Sequence, residues 1–324
     1  MRADSICFIM SLASVLGGVR QRIASVSVHT LNIPEEHLAA DAAIYICAHF
    51  AQTRYVQKSC AEMRITMIGI YFSGTGNSKY CIEKFLEEYD DNTPAFSIEQ
   101  TEAITHIKTH DEIVICYPVQ FSNIPKILHD YIVTNSQLWK GKKIFIIATM
   151  GLFSGDGAGI LARLLKKYGA TIIGGLHLKM PDSISDEKAL KRSPEKNVAL
   201  VRNAEFKIHK AVIQIKNGKP PQEGLGILYH AAGLFGQRLY FYNKTKSYTN
   251  KLKISREKCV GCGLCEKLCP MKNIELVGNT AVAGSRCTMC YRCISKCPKQ
   301  AITLLGKKVI EQNDVNKYLS QEKR

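Results

Sequence analysis

Eight of the chain's 13 cysteines stand in two matched runs. Cys259, Cys262, Cys265 and Cys269 are followed by Pro270, and Cys287, Cys290, Cys293 and Cys297 by Pro298. Both runs read Cys-x2-Cys-x2-Cys-x3-Cys-Pro, the spacing that holds [4Fe–4S] clusters. The chemistry accounts for that spacing. Each iron of a cubane takes one thiolate. Three closely spaced cysteines reach three corners from one loop, and the fourth corner must be met from another direction. Gly261 and Gly263 remove side chains where backbone N–H groups approach sulfur, and the prolines turn the chain after each fourth cysteine. Zinc is the competing metal, but its sites pair Cys-x2-Cys units across a longer gap and close on four ligands. Two runs that each end in proline and lead to an isoleucine (Ile274, Ile302) fit iron–sulfur chemistry better. Cys7, Cys47, Cys60, Cys81 and Cys116 are scattered. Cys81 and Cys116 fall in a helical and a strand pattern, where a thiol packs as a small apolar group.

A second chemical signal is Ser73-Gly74-Thr75-Gly76-Asn77-Ser78, placed between an apolar strand and an amphipathic helix. Backbone N–H groups of such a turn, with the helix N-terminus behind them, form an anion site. The hydroxyls of Ser73, Thr75 and Ser78 add donors, and the turn holds no Lys or Arg, which suits one phosphate bound by neutral dipoles. The GK[ST] ending of an NTPase loop and the G-x-G-x-x-G dinucleotide fingerprint are both missing. Gly155-x-Gly157-x-Gly159 also departs from that fingerprint. A ligand-free capped turn is the alternative.

These residues need a scaffold, and the pattern around them supplies one. Continuous apolar runs at 64–72, 94–98, 112–117, 143–149 and 171–180 read as strands. Helical patterns at 79–89, 124–134, 160–168 and 194–217 separate them. Strands without polar alternation, joined through helices, indicate an α/β fold with a doubly wound five-stranded parallel sheet. Residues 218–254, with Pro220-Pro221 and a run of Tyr, Phe and Lys, read as a basic and aromatic linker that packs one domain on another. Residues 255–306 hold both cysteine runs, and 307–324 read as a polar, frayed tail. Ahead of the sheet, residues 1–63 show no sustained period beyond a helical pattern from Pro34 to Gln57. A chain begun at Met63 or Met67 would open on the first strand, so 1–62 stand apart as an extension of unclear role.

Composition bounds the function. The 324 residues, 46% apolar and 22% charged, are ordinary for two globular domains. The longest apolar stretch, Ile6–Val19, is too short for a membrane span and lacks a clear cleavage site. Tightly spaced cysteines in a long chain point to metal in a reducing cytoplasm rather than to disulfides. The formal charge of +16 divides unevenly: residues 1–139 carry net −5 and residues 140–324 net +21. Such a basic half attracts nucleic acid or an acidic protein surface, or is simply solvated.

Residues 66–180 resemble a flavodoxin, the turn at 73–78 matching that family's [ST]-x-T-G-[NT]-[ST] phosphate loop. With the two cysteine runs behind it, the chain resembles the flavodoxin–ferredoxin fusion proteins of anaerobic bacteria and archaea, over about residues 64–305. The resemblance implies a flavodoxin-like domain at 64–217, with strand order 2-1-3-4-5, followed by a small α+β bacterial-type 2[4Fe–4S] ferredoxin domain. It implies flavin mononucleotide (FMN) on Ser73, Gly74, Thr75, Gly76, Asn77 and Ser78. Tyr117, Pro118, Phe121, Met150, Gly151 and Phe153 are the candidates for touching the ring, although the third loop lacks the Tyr that many flavodoxins stack there. It implies one cluster on Cys259, Cys262, Cys265 and Cys297, and another on Cys287, Cys290, Cys293 and Cys269.

Such a protein passes electrons between FMN and two [4Fe–4S] clusters and links a soluble donor to an acceptor protein. Basic groups near the cysteines, among them Arg256, Lys258, Lys267 and Lys299, suit an acidic redox partner. Neither nucleic acid nor membrane insertion is expected. Two other functions compete. One is a flavin-dependent reductase of a small molecule fed by its own ferredoxin domain, although none of the nine histidines sits in a recognisable motif. His129 and His177 read as structural. The other is a redox-sensing or nucleic-acid-binding module with structural clusters.

Overall fold

The computed structural model describes residues 67–91, 93–235 and 248–320, which belong to one compact unit. The helix expected over 34–57, the scattered Cys7, Cys47 and Cys60, and the part of the aromatic linker at 236–247 lie outside the described residues.

Five strands, β1 (Ile68–Tyr71), β2 (Ala95–Ser97), β3 (Glu112–Pro118), β4 (Lys143–Met150) and β5 (Thr171–Lys179), form a parallel sheet in the order β2-β1-β3-β4-β5. Its register sets Ile70 beside Ile115, and Ile115 beside Ile146. Alternation along β3 shows why the strands read as continuous apolar runs. Ile113, Ile115 and Tyr117 face one buried layer, while Val114 and Cys116 face another. Helices α1 (Asn77–Tyr89) and α5 (Pro194–Lys216) cover the second face through Ile82, Phe85, Val201 and Ile208. Helices α2 (Glu102–Thr109), α3 (Lys126–Thr134) and α4 (Gly157–Lys167) cover the first through Ile107, Ile132, Leu161 and Leu165. This is the doubly wound α/β sheet expected from the sequence.

Two elements depart from expectation. Helix α2 was not read, because its eight residues bury only Ala103 and Ile107 and leave no clear period. Helix α4 starts at Gly157, three residues before the predicted boundary, because its glycines serve packing. A Cβ on Gly157 would meet Val119 at 2.6 Å, and one on Gly159 would meet Asp156 at 2.0 Å.

After α5, the linker is tied to the sheet edge. Gln222 bridges Gly175, and Glu223 accepts from the His177 amide and from Lys207. Helix α6 (Ile227–Gly233) follows. The small C-terminal part pairs β6 (Lys253–Ile254) with β9 (Ile302–Thr303), and β7 (Ile274–Val277) with β8 (Thr280–Ala283), both antiparallel. Helices α7 (Leu264–Leu268) and α8 (Arg292–Lys296) each begin inside a cysteine run. Ile274, Ile294 and Ile302 lie at the centre of its core, and the cysteines pack around them.

The expected frayed tail is instead an ordered strap. It ends in α9 (Asn316–Leu319), with Val315 and Tyr318 buried against α1 and α5 of the larger domain. Those two residues are the apolar content that made the segment worth ordering, and they were masked by polar neighbours.

Candidate functional site

The two cysteine runs form two cages. One cavity is lined by Cys259, Cys262, Cys265 and Cys297, and a second by Cys269, Cys287, Cys290 and Cys293. Each cage therefore takes three cysteines from one run and the fourth from the other. Backbone amides point at the sulfurs: Ala281 and Ala301 donate to Cys259 and Cys297 at 3.4 and 3.3 Å. In the second cage Asn273 and Met289 donate to Cys269 and Cys287, both at 3.3 Å. Such bonds favour sulfur bearing negative charge. As free thiols Cys290 and Cys293 are held protonated: burial pushes Cys290 up to about 12, and burial with repulsion from neighbouring cysteines raises Cys293. Among the described residues no three His, Cys, Asp or Glu side chains meet closely enough for a single ion. In each cage the four cysteines line one common cavity.

Backbone geometry repeats at an offset of 28 residues. Gly261 and Gly263 have φ +66° and +70°, and their counterparts Met289 and Tyr291 have φ +54° and +61°. In the first run glycine meets the left-handed conformation without cost. In the second, side chains occupy it at roughly 1 kcal/mol each. Those side chains face another site.

That site is a cavity of about 670 Å³ between the sheet's carboxyl edge and the small domain. Ser73, Gly74, Thr75, Asn77 and Ser78 line one end, and Pro118, Phe121, Met150, Gly151 and Phe153 line another part. Met289, Cys290 and Tyr291 close it from the small domain. Helix α1 begins at Gly76 (φ +93°), with no side-chain cap on its first N–H groups. The buried Ser73 hydroxyl has no hydrogen-bond partner within the protein. Uncapped donors and an orphaned hydroxyl at a helix N-terminus fit a phosphate. Other polar groups of the turn are committed. Ser78 Oγ lies 2.8 Å from Thr149 Oγ1, and the Asn77 amide donates to the Pro181 carbonyl at 2.7 Å.

Ten of the twelve residues read as cofactor contacts line the cavity; Gly76 and Tyr117 do not. Gly76 forms the turn beneath it. Tyr117 is fully buried in β3 and donates its hydroxyl to the Gly157 carbonyl at 2.6 Å, so the strand's alternation turns it toward the core. Sequence reasoning missed Asp182, Ile184, Tyr248, Lys251 and Met289 on the wall. Lys251 lies 5.0 Å from the Tyr248 ring centre, and Phe121 packs on the same ring at 5.7 Å. Phe121 and Ser122 both have positive φ (50° and 57°), as does little else in the larger domain apart from glycine. Neither histidine read as structural lines this cavity; His177 bonds Ser154 at 3.1 Å.

The phosphate turn and the second cage touch directly. Arg292, between Cys290 and Cys293, donates to the Ser73 carbonyl at 2.8 Å and to both carboxylate oxygens of Glu99 at 2.7 and 2.9 Å.

Family comparison agrees with both halves. A flavodoxin domain model matches residues 68–174, and a 4Fe-4S dicluster domain model matches residues 251–316. The chain joins a flavodoxin domain to a 4Fe-4S dicluster domain. No curated protein matches it. Solved structures similar to this flavodoxin–ferredoxin fusion include a flavodoxin from the domain Archaea, at 13% identity over 46% of this chain and 98% of that one, with a TM-score of 0.33. Two-electron reduced Megasphaera elsdenii flavodoxin is 21% identical over 45% of this chain and 100% of its own (TM-score 0.33). Fusobacterium nucleatum flavodoxin bound to flavin mononucleotide is 15% identical over 47% and 97% (TM-score 0.32). The fusion is an FMN and iron–sulfur electron-transfer protein, and its carrier domains imply redox partners. Among the described residues no helix is long and apolar enough to cross a membrane.

Proposed function

We propose that the protein passes electrons between one FMN and two [4Fe–4S] clusters, serving a soluble donor and an acceptor protein in a reducing cytoplasm. The observation that carries this reading is shared lining: Met289, Cys290 and Tyr291 belong both to the flavin-sized cavity and to the second cysteine cage. When bound, the flavin supplies two-electron exchange and each cluster one-electron exchange, so that one chain converts between the two.

The chain's own residues then have distinct tasks. Ser73, Thr75 and the amides of Gly74–Ser78 hold the phosphate, with Gly76 turning the chain beneath them. Pro118, Phe121, Met150, Gly151 and Phe153 exclude water from the ring. Cys259, Cys262, Cys265 and Cys297 hold the first cluster, and Cys269, Cys287, Cys290 and Cys293 the second. Arg292 and Tyr291 fix the second cage against the cavity wall. The domains follow: 64–217 for the flavin, 218–254 as a connection that also supplies Tyr248 and Lys251 to the cavity, and 255–306 for the clusters. The partners are redox proteins, acidic ones in view of the basic surface, without nucleic acid.

Anaerobic purification tests the inventory, with about eight irons and one flavin per chain expected. Photoreducing the flavin in that sample should then produce the reduced-cluster signal by electron paramagnetic resonance. Fully loaded protein in which light reduces the flavin while the clusters stay oxidised indefinitely would overturn the reading.

A further inference from the structure

The cysteine runs repeat each other's backbone but not each other's side chains. Gly261 and Gly263 of the first correspond to Met289 and Tyr291 of the second, and all four residues have positive φ. In the first run the space beside the turn is taken by the β7–β8 hairpin. A Cβ on Gly261 would lie 2.7 Å from the Asn279 carbonyl oxygen, and one on Gly263 would lie 3.3 Å from Leu276. In the second run Met289 and Tyr291 stand where the first has bare backbone. Glycine would hold the same conformation with less strain, so these side chains are kept for what they touch.

What they touch is both cofactor sites. Met289 and Tyr291, with Leu304 beside them, line the second cage and also the flavin cavity. Tyr291 is buried and donates its hydroxyl to Asp186 at 2.9 Å, and Met289 packs on the same small core. The larger domain grips this run by its backbone. The Gln120 side-chain amide donates to the Thr288 and Met289 carbonyls at 3.0 and 3.1 Å, and the Ile127 amide donates to the Thr288 hydroxyl at 3.3 Å. Among the described residues the first run, 259–269, makes no hydrogen bond to the larger domain, and it carries the exposed Cys262.

We propose that Met289 and Tyr291 are positioning residues for electron exchange: they form a dry partition that seats the flavin against the second cluster and makes that cluster its direct partner. The inference rests on the electron-transfer reading above and adds to it the route and the residues that set it. In the step concerned the reduced flavin loses one electron and the second cluster gains it. The partition also tunes that cluster, because solvent access governs cluster potentials. Reduction adds negative charge, which water solvates and an apolar wall does not, so the covered cluster is held at a lower potential than an exposed one.

The test compares two double variants of the anaerobic holoprotein. Met289→Gly with Tyr291→Gly gives the second run the residues of the first; Met289→Leu with Tyr291→Phe refills the space. Glycine suits the left-handed backbone, so both cages should still load, and iron, sulfide and flavin are assayed on every protein. A light pulse with an amine as electron donor reduces the flavin, and absorbance follows its reoxidation by the clusters. The glycine pair should slow this transfer about ten-fold, the scale of lost support around a metal centre. Redox titration read by electron paramagnetic resonance should show one cluster potential raised and the other unmoved. The Leu and Phe pair, although it gives up the Asp186 bond, should recover most of the rate and of the potential. Val309→Ala thins the same small core away from both cavities, and should lower the unfolding midpoint while leaving transfer and potentials alone.

Wild-type protein without its cofactors, or loaded protein with no transfer at all, would sink the underlying reading. Full cofactor content and normal wild-type transfer, with the glycine pair exchanging as fast and both potentials unmoved, would sink the partition alone. So would a Leu and Phe pair no better than the glycine pair, or Val309→Ala slowing transfer as much.

Discussion

Asp186 is 4% exposed, yet its carboxylate is the most heavily used acceptor between the two domains. It accepts from the Leu304, Leu305 and Gly306 amides at 2.6, 2.8 and 3.0 Å, and from the Tyr291 hydroxyl at 2.9 Å. Asp186→Ala strands all four donors in a buried seam, and one such orphan costs about 1–3 kcal/mol. We expect a loss of at least ~3 kcal/mol in urea denaturation, with slower electron exchange between flavin and clusters; Asp186→Asn, which keeps an acceptor, should lose less. His177 gives a pH signature of its own. Burial lowers its pKa from 6.5 to about 4; Lys207 adds to this, and Glu223 and Asp156 oppose it. The unfolded chain therefore takes up the proton first. The stability contribution is complete above pH 6.5 and is lost as pH falls toward 4, by at most ~3 kcal/mol. His177→Gln should flatten that part of the stability–pH curve. A variant as acid-sensitive as the wild type between pH 6.5 and 4.5 would rule this out.

At the scale of elements, the turn at 73–78 is held from the side opposite its ligand. A Cβ on Gly74 would lie 1.9 Å from the Cys290 carbonyl oxygen, so this glycine is required by the cysteine loop as much as by a phosphate. Gly74→Ala must push the two loops apart. Flavin affinity should fall at least ten-fold, and the visible circular dichroism of the clusters should change. Gly141→Ala is the control. Gly141 has φ +79° and nothing within 4 Å, so a Cβ there costs about 1 kcal/mol of backbone strain and leaves both cofactors unaffected. The turn, the sheet and both cysteine runs were legible because each is local: a strand beside a glycine turn, or ligands three residues apart. Tyr117 is a core residue and not a ring contact, because the alternation of β3 gives Ile113, Ile115 and Tyr117 one buried face. The start of helix α4 is hidden in the sequence, because Gly157 and Gly159 read as a loop although they are packed inside the helix. The pairing of Asp186 with Tyr291 spans 105 residues and leaves no local trace.

For the molecule as a whole, the decisive segment is the strap after Gly306, which binds the two domains into one assembly. Gln312 donates to the Ile294 and Cys297 carbonyls of the cluster domain at 3.0 and 2.7 Å. Asn313 donates to the Asp182 carbonyl on the cavity wall at 2.7 Å, and the Val315 amide to the Thr75 carbonyl of the phosphate turn at 3.1 Å. Tyr318, 1% exposed, anchors the end: its hydroxyl donates to Asn313 at 2.7 Å and accepts from Asn197 of α5 at 3.1 Å. The strap thus reaches a cluster ligand, the cavity and the phosphate turn within seven residues. Tyr318→Phe keeps the buried ring and removes only the hydroxyl, which predicts a loss of about 1–2 kcal/mol. Tyr318→Ala also empties the site, for about 3–5 kcal/mol. If the strap acts on the assembly and not merely on overall stability, FMN should dissociate faster from both variants under conditions where they remain folded. Iron should also become more accessible to a chelator in the same order, Ala before Phe before wild type. Flavin fluorescence on dilution and the rate of chelator colour development give the two readings separately. Faster flavin loss with unchanged iron release would restrict the strap to the phosphate turn. Unchanged rates of both, despite a lowered unfolding midpoint, would reduce it to packing.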